Sequence, residues 1–110
     1  MAKYEWSDDV PESGDELPDG YYVYQAELSF PSRPSEFYVG VSKHPRKRIY
    51  QHSKDARVSP YSFFNEATKV STSILCVADK PTAWATEKRC TKQLAHVVGL
   101  DRMINAYNCR

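Results

Sequence analysis

One short stretch of the chain combines a tyrosine, a glycine, an arginine and a histidine, residue types that suit phosphate chemistry. Residues 37–52 read FYVGVSKHPRKRIYQH, so Tyr38 and Gly40 precede Arg48 and His52. A spacing of four places Arg48 and His52 on one face of a helix. A guanidinium offers planar donors that match a phosphate, and an imidazole can donate a hydrogen bond or move a proton. The alternative is a strand with a packed tyrosine, followed by a solvated basic helix with an incidental histidine.

A carboxylate interrupts an apolar stripe further along the chain, in PTAWATEKRCTKQLAHVVG. Helical spacing predicts one face that contains Ala83, Glu87, Cys90, Leu94 and Val97. A carboxylate on a core-facing stripe is costly unless it is paired, hydrogen-bonded or bound to a metal. Glu87 is therefore a candidate functional residue, unless the helix is rotated so that Glu87 lies at the edge beside Lys88 or Lys92.

The elements that must position these residues begin with a hairpin. GYYVYQAEL alternates apolar and polar residues and is rich in β-formers, which predicts a strand. FPSRPSE contains two prolines and predicts a loop, and EFYVGVS predicts a second strand, antiparallel to the first. Pro45 fits the first turn of a helix that carries Arg48 and His52.

The second half of the chain predicts a shorter helix, a strand and a long helix. SPYSFFNEAT predicts the short helix and KVSTSILCVAD the third strand. Asp79 is the expected cap of a long helix that starts near Pro81 and stops at Gly99, and DRMINAY adds a last short turn or helix. The order β-β-α-α-β-α-α predicts a small α+β domain with a three-stranded sheet.

The charge of the chain is divided between an acidic leader and a basic body. The 110 residues carry a net charge of +1, but residues 1–19 hold seven acidic side chains against Lys3. We expect this leader to be flexible or loosely docked through Tyr4 and Trp6, ahead of a domain over residues 20–110. That body holds 14 basic and seven acidic residues, the sign expected of a protein that meets a polyanion.

Cysteine usage and hydropathy predict a cytoplasmic protein. The three cysteines are odd in number and widely spaced, which suits neither a disulfide framework nor a zinc site. No apolar run approaches the roughly 18 residues of a membrane span, and no signal peptide precedes the acidic N-terminus. We therefore expect no membrane partner.

The order of these residues resembles the GIY-YIG nuclease family over essentially all of residues 20–110. The resemblance is carried by Gly20-Tyr21-Tyr22, Tyr38-Val39-Gly40, Arg48, His52, Glu87 and Asn105. It implies a three-stranded antiparallel sheet flanked by helices. It also implies an endonuclease that hydrolyses phosphodiester bonds with one divalent metal ion, Mg²⁺ or Mn²⁺, in a minimal stand-alone domain typical of phages or mobile elements.

The resemblance assigns a role to each matching residue. Glu87 matches the metal ligand, and Arg48 with the metal would stabilise charge on the phosphate. Tyr22 and Tyr38 match a pair of tyrosines around the attacking water, one of which is often assigned as general base. The remaining matches are His52, which assists by hydrogen bonding or proton relay, Asn105, which braces the site, and the structural residues Gly20 and Gly40.

Some positions leave alternatives open. Gly40 lets substrate or a neighbouring helix approach its strand closely. Some relatives have a lysine where this chain has Val41, so Lys43 or His52 would activate the tyrosine here, or the base differs. Asn108 could serve in place of Asn105.

The expected partner is nucleic acid, DNA rather than RNA. Phosphate contacts are predicted from a basic set, namely Lys43, Arg46, Lys47, Arg48, Lys88, Arg89 and Lys92. Target choice would come from loops, substrate shape, a homo-oligomer or a specificity-giving protein partner. Two other classes stay open: a catalytically silent nucleic-acid-binding module, and a protein-interaction or inhibitor domain that uses the acidic leader.

Overall fold

A computed structural model describes residues 3–11, 20–54, 64 and 66–104. Its elements follow in chain order: β1 Tyr4–Trp6, β2 Tyr21–Ser29, β3 Glu36–Ser42, α1 Pro45–Lys54, β4 Lys69–Ala78, α2 Lys80–Val98 and a 3-10 turn at Leu100–Arg102. The predicted α+β class is confirmed, and the three predicted strands and both helices that carry candidate residues are present. The predicted short helix over residues 59–68 lies mostly outside the described residues.

The sheet has four strands, so the predicted count of three is wrong. Its order is β1-β4-β2-β3; β2 is antiparallel to β3 and β4, as the hairpin predicted, whereas β1 is parallel to β4. The extra strand comes from the first part of the acidic leader. Tyr4 lies opposite Val70 in register, and the Val70 amide donates to the carbonyl of Lys3 at 2.8 Å. Two aromatic residues thus give an acidic segment enough apolar surface to join the sheet edge.

The two faces of the sheet carry separate apolar clusters, as period-two alternation requires. On one face Tyr24, Leu28 and Tyr38 pack with Ile49 of α1 and with Phe64. On the other face Val23 and Val39 pack with α2. Helices α1 and α2 therefore cover opposite faces of the sheet.

Both predicted ends of α2 are confirmed. The side chain of Asp79 accepts a hydrogen bond from the Thr82 amide at 2.9 Å, and Gly99 follows the last turn with a φ of 97°. That φ lies in the left-handed region that favours glycine. The predicted apolar stripe is wrong at its end, since Val97 is 80% exposed. The buried line passes instead to Thr91 and Ala95 in the second half of the helix, which turns Val97 towards solvent.

The chain beyond α2 returns to the edge strand β3. The Ile104 amide donates to the carbonyl of Phe37 at 2.8 Å, and Arg102 Nε donates to the carbonyl of Ser35, also at 2.8 Å. Asn105 and Asn108 lie outside the described residues. No helix in the described part of the chain is long and apolar enough to span a membrane.

Candidate active site

Tyr38 and His52 are in direct contact on the α1 face of the sheet. Their ring centroids are 5.0 Å apart with an interplanar angle of 68°, an edge-to-face arrangement. Tyr38 is near the middle of β3, and His52 is in the second half of α1, where Pro45 opens the helix and Ile49 anchors it in the core. Because β3 and α1 are joined by only two residues, the strand tyrosine and the helix histidine meet across a tight corner.

Other rings enclose this pair. Phe64 lies 5.0 Å from His52 and 5.6 Å from Tyr38, centroid to centroid. Tyr24, on the adjacent strand β2, lies 6.2 Å from Tyr38. His52 is fully buried and Tyr38 is 5% exposed. The imidazole is therefore held in a mainly aromatic environment in which its orientation is fixed by packing.

The environment of His52 keeps its imidazole neutral. Burial is the main cause and the positive charge of Arg48 the second, and together they lower the pKa of His52 to about 3. Both act against the protonated form, since a cation loses hydration on burial and is repelled by a nearby guanidinium. At neutral pH the side chain thus stays unprotonated and can accept a hydrogen bond, and the positive charge of Arg48 adds to the effect of burial in making it a weak base.

Gly40 makes room for two tyrosine side chains. A Cβ at this position would lie 2.5 Å from the Tyr24 hydroxyl oxygen and 2.7 Å from Cε2 of Tyr38. Gly40 lies directly opposite Tyr24 in the β2–β3 register. The close approach on the side towards which a Cβ would point is therefore made by Tyr24 and Tyr38.

Motif spacing pointed to Tyr22 but not to Tyr24, whose ring lies beside Tyr38. Both are on β2 and point to the same face, but Tyr24 is fully buried whereas Tyr22 is half-buried and lies opposite Ser42, at the end of the hairpin. Gly20 directly precedes this strand. The available signal was the register itself, because an aromatic residue opposite a strand glycine commonly covers that glycine.

Glu87 lies on α2, the helix that packs against the opposite face of the sheet. Its side chain is half-buried, and its backbone carbonyl accepts a 2.7 Å hydrogen bond from the Thr91 hydroxyl. The described residues contain no group of three or more His, Cys, Asp or Glu side chains placed to hold a metal. One carboxylate fits Mg²⁺, which keeps several waters and takes further oxygens from a substrate phosphate. A single carboxylate is too few protein ligands for a permanently bound structural metal ion.

The predicted basic residues have different surroundings. Lys47, Lys88, Arg89 and Lys92 are exposed, the first on α1 and the others on α2. Arg46 instead holds the N-terminal segment, residues 3–11: its Nε and Nη2 donate to the carbonyls of Pro11 and Val10 at 3.1 and 3.2 Å. Since α1 and α2 cover opposite faces, the exposed cations do not form a patch on a single face.

The comparisons with known proteins agree with this arrangement at the level of the family. A protein-family model described as the GIY-YIG catalytic domain matches residues 20–96. No curated protein and no solved structure matches the chain. The matched range contains both motif strands, the Arg48–His52 helix and Glu87, and it covers more than half of the sequence. The chain therefore belongs to the GIY-YIG family, a family of endonucleases.

Proposed function

We propose that this protein is a metal-dependent endonuclease that hydrolyses phosphodiester bonds in DNA. The observation that carries the proposal is the packing of Tyr38 against a neutral His52, with Arg48 one helical turn before that histidine. This combines a phosphate-binding cation with a hydroxyl and an unprotonated imidazole that can accept a hydrogen bond. Family membership supplies the reaction class.

Arg48 is the anchor for the scissile phosphate in this proposal. Its guanidinium can donate two parallel hydrogen bonds to phosphate oxygens and stabilise the charge that develops on them. A bound phosphate would also offset the positive charge that lowers the pKa of His52. Binding of substrate at Arg48 therefore makes His52 a better proton acceptor.

The tyrosines orient the attacking water, and His52 acts through Tyr38. His52 is buried, and of the rings that it contacts among the described residues only that of Tyr38 carries a hydroxyl. A tyrosine hydroxyl would take a proton from the attacking water only as it gives its own proton to a second base, for which the neutral imidazole of His52 is the candidate. Tyr22 is more exposed than Tyr38 and lies at the open end of the hairpin, which makes its hydroxyl the more accessible of the two.

Glu87 is the proposed ligand of one Mg²⁺ or Mn²⁺ ion. When bound, the ion supplies Lewis-acid stabilisation of the phosphate oxygens. Asn105 and Gly20 keep the bracing and structural roles that the resemblance implies. The proposed contacts to backbone phosphates are Lys43, Lys47, Lys88, Arg89 and Lys92. We propose cytoplasmic action, supported by the free thiols of Cys76 and Cys90.

A catalytically silent nucleic-acid-binding module is the second candidate. The observation in its favour is burial, since Tyr38 and His52 are almost or fully inaccessible. On this alternative the pair is a packing motif, and the exposed lysines and arginines alone bind the polyanion. The two candidates differ in whether the protein cleaves the nucleic acid when a divalent metal ion is present.

Plasmid conversion separates these candidates. Wild type, Glu87→Ala and the control Glu27→Ala, which removes an exposed carboxylate on β2, are compared with Mg²⁺, Mn²⁺ and EDTA. Single-stranded and branched DNA supplement the supercoiled plasmid. The nuclease predicts metal-dependent cutting by wild type and Glu27→Ala only. Salt-sensitive binding without cutting by any variant indicates the binding module, and cutting by Glu87→Ala excludes the proposed role of Glu87.

A further inference from the structure

An exposed aromatic pair joins β2 to α2 on the face of the sheet that α2 covers. The rings of Tyr21 and Trp84 lie edge to face, with centroids 5.5 Å apart and an interplanar angle of 65°. Tyr21 packs against the apolar cluster on the α2 face, and this contact holds the aromatic pair in place. Trp84 is nevertheless 46% exposed, although a large aromatic ring gains more from burial than most side chains. The structure thus presents a supported indole surface to solvent.

Two lysines border these rings. Lys80 Nζ lies 5.3 Å from the Trp84 ring centroid, and Lys43 Nζ lies 5.2 Å from that of Tyr21. An open cleft of about 390 Å³ is lined by Lys80, Pro81 and Trp84. The carboxylate that directly precedes Lys80, that of Asp79, accepts a hydrogen bond from the Thr82 amide as the cap of α2. The surface therefore combines flat apolar area with positive charge.

The pair is close in sequence to two residues of the proposed site. Tyr21 directly precedes Tyr22, and Trp84 precedes Glu87 by three residues on α2. Residues three apart on a helix are neighbours on its surface, with about 5 to 6 Å between Cβ atoms. Any group that stacks on Trp84 consequently lies one helical turn from the proposed metal ligand.

We propose that Tyr21 and Trp84 form a base-stacking platform for an unpaired nucleotide near the proposed metal ligand Glu87, with Lys43 and Lys80 contacting the flanking phosphates. This inference rests on the proposed function and deepens it. Every base has a π-face, so an exposed indole binds bases with little regard to sequence, and nearby cations follow the backbone. A base inside a duplex is already stacked on its neighbours. The platform therefore favours single-stranded, branched or locally opened DNA.

Tryptophan fluorescence tests the platform directly, because the chain contains only two tryptophans, Trp6 and Trp84. The Trp6→Phe, Glu87→Ala variant leaves Trp84 as the one indole and lacks the proposed metal ligand, which prevents turnover. It is titrated with a short oligothymidylate and with a blunt duplex, and binding is followed in parallel by anisotropy of the labelled DNA. We expect the single strand to quench Trp84 emission and the duplex to quench it much less.

Affinity measurements give a second, independent readout. Trp84→Ala is expected to weaken binding of the oligothymidylate roughly 5- to 150-fold, the loss of one stacked base, whereas Trp84→Phe keeps most of the affinity. Val97→Ala, which removes an exposed apolar side chain from the same helix, is the matched control and should bind as wild type. Lys80→Gln should reduce the slope of log affinity against log salt by roughly 0.7, for one single-strand phosphate contact.

The outcomes separate this inference from the proposed function. DNA binding without a change in Trp84 emission, or unchanged affinity of Trp84→Ala, overturns the platform even if the wild type cleaves DNA. Emission that depends on protein concentration but not on DNA overturns it in favour of a protein-protein contact. Quenching with no cleavage by the wild type supports the platform on a binding module and rejects the nuclease. No nucleic-acid binding at all rejects both.

Discussion

Arg46 stacks on Trp6 and thereby fastens the N-terminal segment to the helix that carries Arg48 and His52. The guanidinium carbon lies 5.0 Å from the Trp6 ring centroid, and two guanidinium nitrogens donate to the carbonyls of Val10 and Pro11. Tyr50, one turn after Arg46 on α1, also contacts the Trp6 ring. One face of α1 thus holds the added strand while the same helix presents Arg48 and His52 to the site.

Arg46→Ala is expected to destabilise the fold rather than only weaken DNA binding. It removes two charge-assisted hydrogen bonds and a cation–π contact, which predicts a loss of about 1.5 to 3 kcal/mol in the free energy of unfolding. Thermal and urea unfolding measure this loss. The control is Lys47→Ala, an exposed neighbour on the same helix, which should stay within about 0.5 kcal/mol of wild type. Equal stability of the two variants would contradict the fastening role.

Short-range patterns predicted the hairpin, the Pro45 helix and both ends of α2 because each depends on local chemistry. Alternation, a proline in a first turn, and the Asp79 and Gly99 caps act over a few residues. The fourth strand could not be predicted in this way. Residues 3–11 read as an acidic leader, and their place in the sheet depends on contacts with Arg46 and Tyr50, more than 30 residues away.

The candidate site divides in a similar manner. Motif spacing identified Tyr38 and His52, which the structure brings into contact. It did not identify Tyr24, because the position of that ring over Gly40 depends on the β2–β3 register. The helical stripe did not point to Trp84, since the exposure of its indole depends on how α2 is rotated against the sheet.

Gly40→Ala is expected to destabilise the protein by about 1 to 3 kcal/mol, because the added methyl group would overlap two packed tyrosines. Denaturant unfolding measures the change. Tyr24→Phe removes the hydroxyl oxygen that lies 2.5 Å from the added carbon, but the ring carbon Cζ at 2.6 Å stays. The double variant should therefore recover only part of the loss. A Gly40→Ala protein as stable as wild type would contradict the close packing.

Stability should fall as pH decreases from about 6.5 towards 3, in part through His52. Its folded-state pKa is about 3 and its ordinary value is 6.5, so within this range the unfolded state binds a proton that the folded state excludes. The slope from this group is at most about 1.4 kcal/mol per pH unit, and above pH 6.5 its contribution is constant.

Urea unfolding at pH 7 and pH 5 tests this dependence. His52→Phe should lose up to about 2 kcal/mol less between these pH values than wild type, since a neutral ring replaces the buried base. Phe64→Leu, a substitution of a ring in contact with His52, should lower stability at both pH values while keeping the wild-type difference. An unchanged difference in His52→Phe would show that other groups cause the acid sensitivity.

Arg48 has two separable effects, on the pKa of His52 and on the proposed phosphate chemistry. Arg48→Met keeps the length of the side chain but removes its charge. The pKa of His52 should then rise above 3 and stay below 6.5, because burial is the larger cause of the shift. Titration of the imidazole signal by NMR measures this, with Lys47→Met as the matched control.

In the Arg48→Met variant, DNA cleavage should fall roughly 100- to 1000-fold, as expected for loss of one preorganised charge stabiliser. Arg48→Lys restores the charge but not the planar fork, so it should return the pKa of His52 towards 3 while recovering little cleavage. Full cleavage by Arg48→Lys would show that charge alone is sufficient at this position, and full cleavage by Arg48→Met would exclude Arg48 as the phosphate anchor.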